Sequence, residues 1–180
     1  MILFPEKIGG RFALLRRSSG FVNTDTGHSE AHPSICISYS TDPQTRTEPE
    51  VVIRPEFKWE DNRIGGSTPP VRTERGWLML YPGVENTQPA TRRVVYRVGA
   101  MLLDLNDSRQ VLARAPNFIM EPETYYETFG LFIPNVIFPT GAVVKDGLLW
   151  IYSGCCATAI GLATMSLNEL VDHICAASRQ

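Results

Sequence analysis

This sequence predicts an all-β fold built of propeller blades and ending in a short C-terminal helix. Three observations point to it. Thirteen prolines and fourteen glycines are scattered along 180 residues, and the apolar runs between them are short, as in a chain of many strands and turns. The stretch RGWLMLYPG at 75–83 returns 71 residues later as DGLLWIYSG at 146–154. In both, a turn glycine launches four apolar residues, then tyrosine, one variable residue and glycine. A second set of strands recurs in the same order, SICISYSTDP at 34–43, VGAMLLDLND at 98–107 and IGLATMSLNE at 160–169, at offsets of 64 and 62 residues. A recurring unit of this size with several strands is the signature of a propeller blade, which buries its faces only against its neighbours.

The elements follow in order. GGRFALLRRSSG at 9–20 is a weaker copy of the glycine-launched strand, with Gly10 lying 66 residues ahead of Gly76. The polar, proline-containing STDPQTRTEPE at 40–50 reads as a loop. GWLMLY at 76–81 reads as a strand stopped by Pro82-Gly83, with Trp77 in the blade core and Tyr81 exposed beside the turn. Trp150 and Tyr152 of the later copy are assigned to core as well. Asp61, Asp104, Asp107 and Asp146 fall at turns or strand ends, where aspartate bonds its own backbone, and Glu121, Glu123 and Glu127 occupy a loop, EPETYYETFG. Only the end reads as helix: Ser166-Leu-Asn-Glu169 is a capping box, and Leu167, Leu170, Val171 and Ile174 recur at helical spacing. The whole chain, 1–180, is then one partial propeller domain with blade-like repeats near 3–43, 63–107 and 134–170.

Composition narrows the function classes. A net charge of −2 with 20% charged residues offers no nucleic-acid groove and no basic patch for a membrane surface. No apolar run approaches the roughly 20 residues that span a bilayer. MILFPEKIGG lacks the apolar core and small-residue cleavage site of a signal peptide, so a cytoplasmic location is expected. Cys36, Cys155, Cys156 and Cys175 form no C-x-x-C pair and read as reduced, packed thiols. His28 and His32 sit four apart, but Gly27 and Pro33 bracket them and favour a solvated loop over a metal site. His173 reads as helix surface. About three blades fit in 180 residues, whereas closed propellers have at least four. The expected partner is therefore another copy closing the ring as a homo-oligomer, or further blades of a longer chain, since bare sheet faces and edges invite aggregation.

Four stretches together resemble the mannoside phosphorylases and hydrolases of glycoside hydrolase family 130: LFPEKIGGRFALLRR at 3–17, RIGGSTPPVRTERGWLMLYPGV at 63–84, VYRVGAMLLDLNDSRQVLARAPNFIMEPE at 95–123 and PNVIFPTGAVVKDGLLWIYSGCCATAIGLATMSLNEL at 134–170. The resemblance covers nearly the whole chain and implies about three blades of a five-bladed propeller. It implies inverting phosphorolysis of β-mannosides to mannose 1-phosphate, with inorganic phosphate as co-substrate and no other cofactor. Phosphate is a dianion near neutral pH, so cationic donors must converge on it, and the departing oxygen needs a proton from a carboxylic acid. By motif, Arg17 of LRRS matches the phosphate-binding arginine of the pattern LHRP. Arg63 stands for the lysine of KIGxG, a planar fork in place of a point charge. Tyr96 and Arg97 match YRxGA, and Asn135 and Phe138 belong to PNVxFP, a turn expected to line the central cavity. Tyr81, Tyr96, Arg97 and Asn135 are the implied substrate-binding residues.

Two departures accompany these matches. The family's YHG reads Tyr81-Pro82-Gly83, which removes a phosphate-contacting histidine, and GAAD reads Gly154-Cys155-Cys156-Ala157, which removes a sugar-binding carboxylate. The segment carrying the family's catalytic aspartate, of EDPR type, is not among these residues, so no catalytic residue is assigned. The chain therefore reads as a relative of β-mannoside phosphorylases, impaired or incomplete as it stands, or as a non-catalytic sugar-binding or scaffold module.

Overall fold

Each of the three repeated strand pairs becomes the centre of its own antiparallel sheet. The computed structural model describes residues 1–18, 33–42, 45, 47–88, 93–130 and 132–179, which leaves His28 and His32 outside the described residues. The first sheet runs β1 (Ile2–Leu3), β2 (Phe12–Ser18), β3 (Ser34–Ser40), β4 (Glu50–Ile53) in spatial order. After a 3-10 turn at Lys58–Glu60 comes the second sheet, in which β5 (Arg63–Ile64) and β6 (Val71–Thr73) both pair with β7 (Gly76–Gln88), followed by β8 (Arg93–Leu103) and β9 (Val111–Arg114). A single helical turn, α1 (Tyr125–Thr128), precedes the third sheet of β10 (Ile137–Lys145), β11 (Leu148–Cys155) and β12 (Ala159–Ser166), and α2 (Leu167–Ala177) follows it. The segment around Glu127, expected to be all loop, thus contains α1, whose first turn Glu127 caps by accepting from the Thr124 N–H at 2.9 Å.

Local chemistry explains the strand starts. The repeated glycines are left-handed, with φ of 77° at Gly10, 148° at Gly76 and 75° at Gly147. At Gly76 a Cβ would also lie 2.6 Å from the Leu103 carbonyl oxygen, so both conformation and space call for glycine. Asp146 (φ 53°) and Gly147 form the two-residue link between Lys145 and Leu148, the Asp-Gly pairing that suits a tight hairpin.

Two cores separate the three sheets. Trp77, Met79 and Tyr81 of β7 join Leu15, Ile35 and Ile37 in the first, while Leu78 and Leu80 join Val98, Leu149 and Ile151 in the second. The middle sheet is therefore buried on both faces, which is why WLMLY is apolar without alternation. In the third sheet Leu149 and Ile151 are buried, but Leu148, Tyr152, Ile160 and Leu162 are exposed. The assignment of Tyr152 to core fails for this reason: its motif matches β7, but its face of the sheet is uncovered. Trp150 is half-buried, with its indole N–H unpartnered among the described residues. Helix α2 starts with the Ser166 hydroxyl accepting from the Glu169 N–H at 3.3 Å. It buries Leu170, Val171 and Ile174 in the second core and leaves His173 exposed. No helix among the described residues is long and apolar enough to cross a membrane.

Pro82-Gly83 does not end a strand. β7 continues through it to Gln88, with Pro82 opposite Val98 and Gly83 opposite Arg97. The Pro82 carbonyl accepts from the Gly65 N–H at 3.2 Å. Because a strand residue's N–H and C=O point to the same side, the donor that proline lacks would face the end of short β5, and the ladder to β8 is untouched. Gly83 serves a different end. A Cβ there would lie 2.1 Å from Trp59 Cζ3, and one at Gly99 would lie 2.5 Å from Trp59 Cη2. The two glycines open a slot for the Trp59 indole, whose N–H donates to the Pro116 carbonyl at 2.8 Å.

Gly83→Ala is expected to lower stability by about 1–3 kcal/mol through overpacking, read as a lower urea midpoint at unchanged slope. The same change in a Trp59→Ala background should cost distinctly less; equal costs in both backgrounds would show that the slot does not govern this glycine.

Candidate functional site

Residues of the first strand of each sheet, Ile2, Arg63 with Ile64, and Phe138, meet at one cavity of about 360 Å³. Leu15, Arg16 and Arg17 of β2, Pro82 and Val84 of β7, and Tyr96 of β8 complete much of its wall. Among the described residues its lining holds three arginines and no carboxylate, histidine or lysine.

Each arginine is placed differently. Arg63 opens β5 opposite Val84, and the preceding Asn62 N–H donates to the Val84 carbonyl at 2.9 Å. Its guanidinium donates to Asn62 Oδ1 at 3.1 Å and to the Tyr96 hydroxyl. Arg17, near the end of β2 and opposite Ile35, is exposed, and its Cδ lies 3.6 Å from where a Cβ on Gly65 would be. Arg16 is half-buried, and its Nε is buried without a hydrogen-bond partner among the described residues. Three guanidinium groups around a concavity with no acid among its described residues suit an oxyanion, which they can grip with charge-assisted and forked hydrogen bonds.

The structure brings Arg17, Arg63 and Tyr96 together and leaves the other candidates off the lining. Tyr96 is held from behind, its N–H donating to the Asn135 carbonyl at 2.9 Å. Asn135 has a φ of 60°, a conformation asparagine tolerates better than most residues, so the PNVxFP turn reaches the cavity through Phe138 while Asn135 supports Tyr96. Arg97 lies on the opposite face of β8. It donates to Glu85 at 2.5 Å and Glu121 at 3.1 Å and sits 4.7 Å over the Phe118 ring.

Tyr81 requires a correction. Expected to be exposed beside a turn, it is 0% exposed in the middle of β7, stacked against Trp59 with ring centroids 5.8 Å apart. Its hydroxyl donates to Glu60 Oε1 at 2.8 Å and accepts from Arg114 Nε at 3.1 Å. Glu60 is also fully buried; it takes Arg114 Nη2 at 2.7 and 2.6 Å and the N–H groups of Glu56 and Phe57 at 2.9 and 3.3 Å. Burial pushes the Tyr81 phenol well above its ordinary value, the Glu60 charge adds to this, and Arg114 opposes it. Burial works against the Arg114 charge, but Tyr81 and Glu60 outweigh it and raise its affinity for the proton. Sequence reasoning missed this network because its members lie 21 to 54 residues apart.

The Cys155-Cys156 pair is buried and does not line the cavity. Burial pushes the Cys155 thiol up, and Cys156 Sγ donates to the Glu127 carbonyl at 2.9 Å. Burial pushes the nearby Glu127 carboxyl up too, but N–H groups of Thr124 and Glu123 prevail and hold it below its ordinary value. Ala157, where the resemblance has an aspartate, is left-handed with a φ of 57°.

Sheets in series beside a cationic cavity are the architecture of a propeller-type protein. The sequence profile of glycoside hydrolase family 130, described as beta-1,4-mannooligosaccharide phosphorylase, matches residues 2–176, and the chain belongs to this family. It is 35% identical over 169 residues to a 1,2-beta-oligomannan phosphorylase of Thermoanaerobacter sp., covering 93% of this chain and 50% of that protein. It is 31% identical over 175 residues to a beta-1,4-mannooligosaccharide phosphorylase of Ruminococcus albus, covering 96% and 49%. Its fold superposes with a TM-score of 0.80 and 33% identity on the beta-1,2-mannobiose phosphorylase of Listeria innocua in complex with beta-1,2-mannobiose, covering 96% of this chain and 45% of that one. The chain thus spans about half the length of the relatives it matches. The family's solved structures are five-bladed propellers, so the three sheets correspond to part of that ring.

The raised phenol of Tyr81 has a consequence for alkaline stability. In the unfolded chain it ionises near 10.0, while the folded protein keeps the proton to higher pH. The stabilisation is therefore complete below about pH 10 and is lost progressively above it. Urea unfolding from pH 8 to 11 should show Tyr81→Phe with a shallower alkaline decline than the unmodified protein. Parallel declines would mean that the network does not hold the proton.

Proposed function

We propose that this chain supplies the phosphate-binding wall of a β-mannoside phosphorylase site, with Arg17 and Arg63 as the phosphate ligands. The observation that carries the reading is that the two arginines assigned by motif, 46 positions apart in sequence, line one cavity whose described lining holds no carboxylate. In the reaction, a phosphate oxygen attacks the anomeric carbon of a β-mannoside from the face opposite the leaving sugar. The glycosidic C–O bond breaks, the departing oxygen takes a proton from a carboxylic acid, and mannose 1-phosphate forms with inversion. Arg17 and Arg63 neutralise the nucleophile and aim it. Tyr96 shares the cavity wall with Arg63 and faces the sugar, with the Asn135 carbonyl holding it from behind. The described lining holds no carboxylate, so on this reading turnover depends on a proton donor from outside it.

A second reading, a non-catalytic module that binds sugar or anion, is favoured by two substitutions. Pro82 lines the cavity with no side-chain donor and no N–H, and Ala157 offers no carboxylate. On either reading we expect a cytoplasmic protein whose incomplete ring, with its exposed apolar third sheet, is closed by a second copy or by further blades of a longer chain; sedimentation as a monomer at all concentrations would remove the second copy.

Phosphate titrations followed by calorimetry, and incubation of the chain with mannobiose and phosphate, test both readings. Saturable binding that Arg17→Ala weakens about tenfold, with unfolding little changed because Arg17 is exposed, supports the phosphate wall. Release of mannose 1-phosphate supports the phosphorylase, and binding without release supports the module. Failure to bind phosphate sinks the assignment of Arg17 and Arg63.

A further inference from the structure

We infer that Arg16 is a third anion-binding residue of this cavity, so that among the described residues the oxyanion is gripped by arginine side chains. Resting on the phosphate reading above, this extends the site to a residue which that reading leaves unused. Arg16 and Arg17 are neighbours on β2 and leave the strand on opposite faces, yet both line the cavity. Arg17 is exposed, whereas Arg16 is half-buried with its Nε out of contact with water and without a partner among the described residues. A donor on a charged group, removed from water and left unpaired, is costly and uncommon in folded proteins. Neither arginine forms an ion pair among the described residues, and the open space that both border is the cavity.

The remaining lining fixes the class of ligand. Arg63 already spends one Nη on Asn62 and the other on Tyr96, which orients it and leaves its charge facing the cavity. Pro82 on the same wall donates nothing. Three guanidinium groups with no acid beside them among the described residues suit a small tetrahedral dianion, and no side chain of the described lining titrates near neutrality. Arginine keeps its charge to beyond pH 12, whereas an imidazole in such a site would lose its proton near 6.5.

Two measurements on the full chain test this. In titrations with inorganic phosphate, Arg16→Gln should weaken binding about tenfold or more, while Arg72→Gln, an exposed arginine outside the cavity, should bind as the unmodified chain does. Arg16→Lys, which keeps the charge, should recover part of the loss, and thermal melts of each variant separate a binding defect from unfolding. With sulfate, a dianion across the whole range, affinity should be flat between pH 6 and 8. If phosphate binds and Arg17→Ala weakens it while Arg16→Gln leaves it unchanged, the role of Arg16 is overturned and the phosphate reading stands. A fall in sulfate affinity between pH 6 and 8 overturns the all-arginine site. No binding of either ion by the unmodified chain overturns both.

Discussion

Trp59 and Glu60, neighbours in a three-residue 3-10 turn, lock the middle sheet from one side, and much of the structure depends on them. An indole buries about 150–250 Å², which at about 25 cal/mol per Å² is roughly 4–6 kcal/mol. The buried pair of Glu60 and Arg114 contributes much less in net terms, because the desolvation of two charges consumes most of their attraction. Its carboxylate is nonetheless fully provided for, with donors from Arg114, Tyr81, Glu56 and Phe57. The tryptophan supplies the stability, and the glutamate decides that the turn docks in one orientation only.

The cavity inherits its precision from that turn. Glu60 is followed at once by Asp61, whose carboxylate accepts from the Asn86 N–H at 2.7 Å, and by Asn62, fixed to the Val84 carbonyl. Arg63 is the next residue. Its guanidinium is therefore positioned by a buried anchor three residues earlier and by Asn62 and Tyr96 at its tip. A long, entropy-rich side chain pre-set in this way loses little freedom when an anion arrives.

The strand pairs and their order were legible in the sequence because local chemistry sets them: left-handed glycines start the strands, apolar runs fill them, and Asp146-Gly147 closes a tight hairpin. Arg17, Arg63 and Tyr96 were legible by motif. What failed depended on distant partners. Pro82-Gly83 reads as a stop unless one knows that Gly65 meets the proline carbonyl and that Trp59, 24 positions earlier, needs the glycine's empty side. Tyr81 and Tyr152 occupy equivalent places in matching motifs, yet one is enclosed between two sheets and the other lies on an uncovered face. Sequence identity of a strand does not say which of its faces has a neighbour. Arg16 carried no motif signal at all.

The sharing of β7 and β8 between two cores also shapes how the chain comes apart. Residues of one parity belong to the first core and those of the other to the second, so neither flanking sheet can leave without stripping a face of the middle one. Backbone amides at the centre of the β7–β8 ladder are then released only when both cores open, and their exchange with solvent reports the whole molecule, while those of β12 report the fraying of one side. The middle sheet is the common wall through which the two halves of the chain share a single unfolding transition.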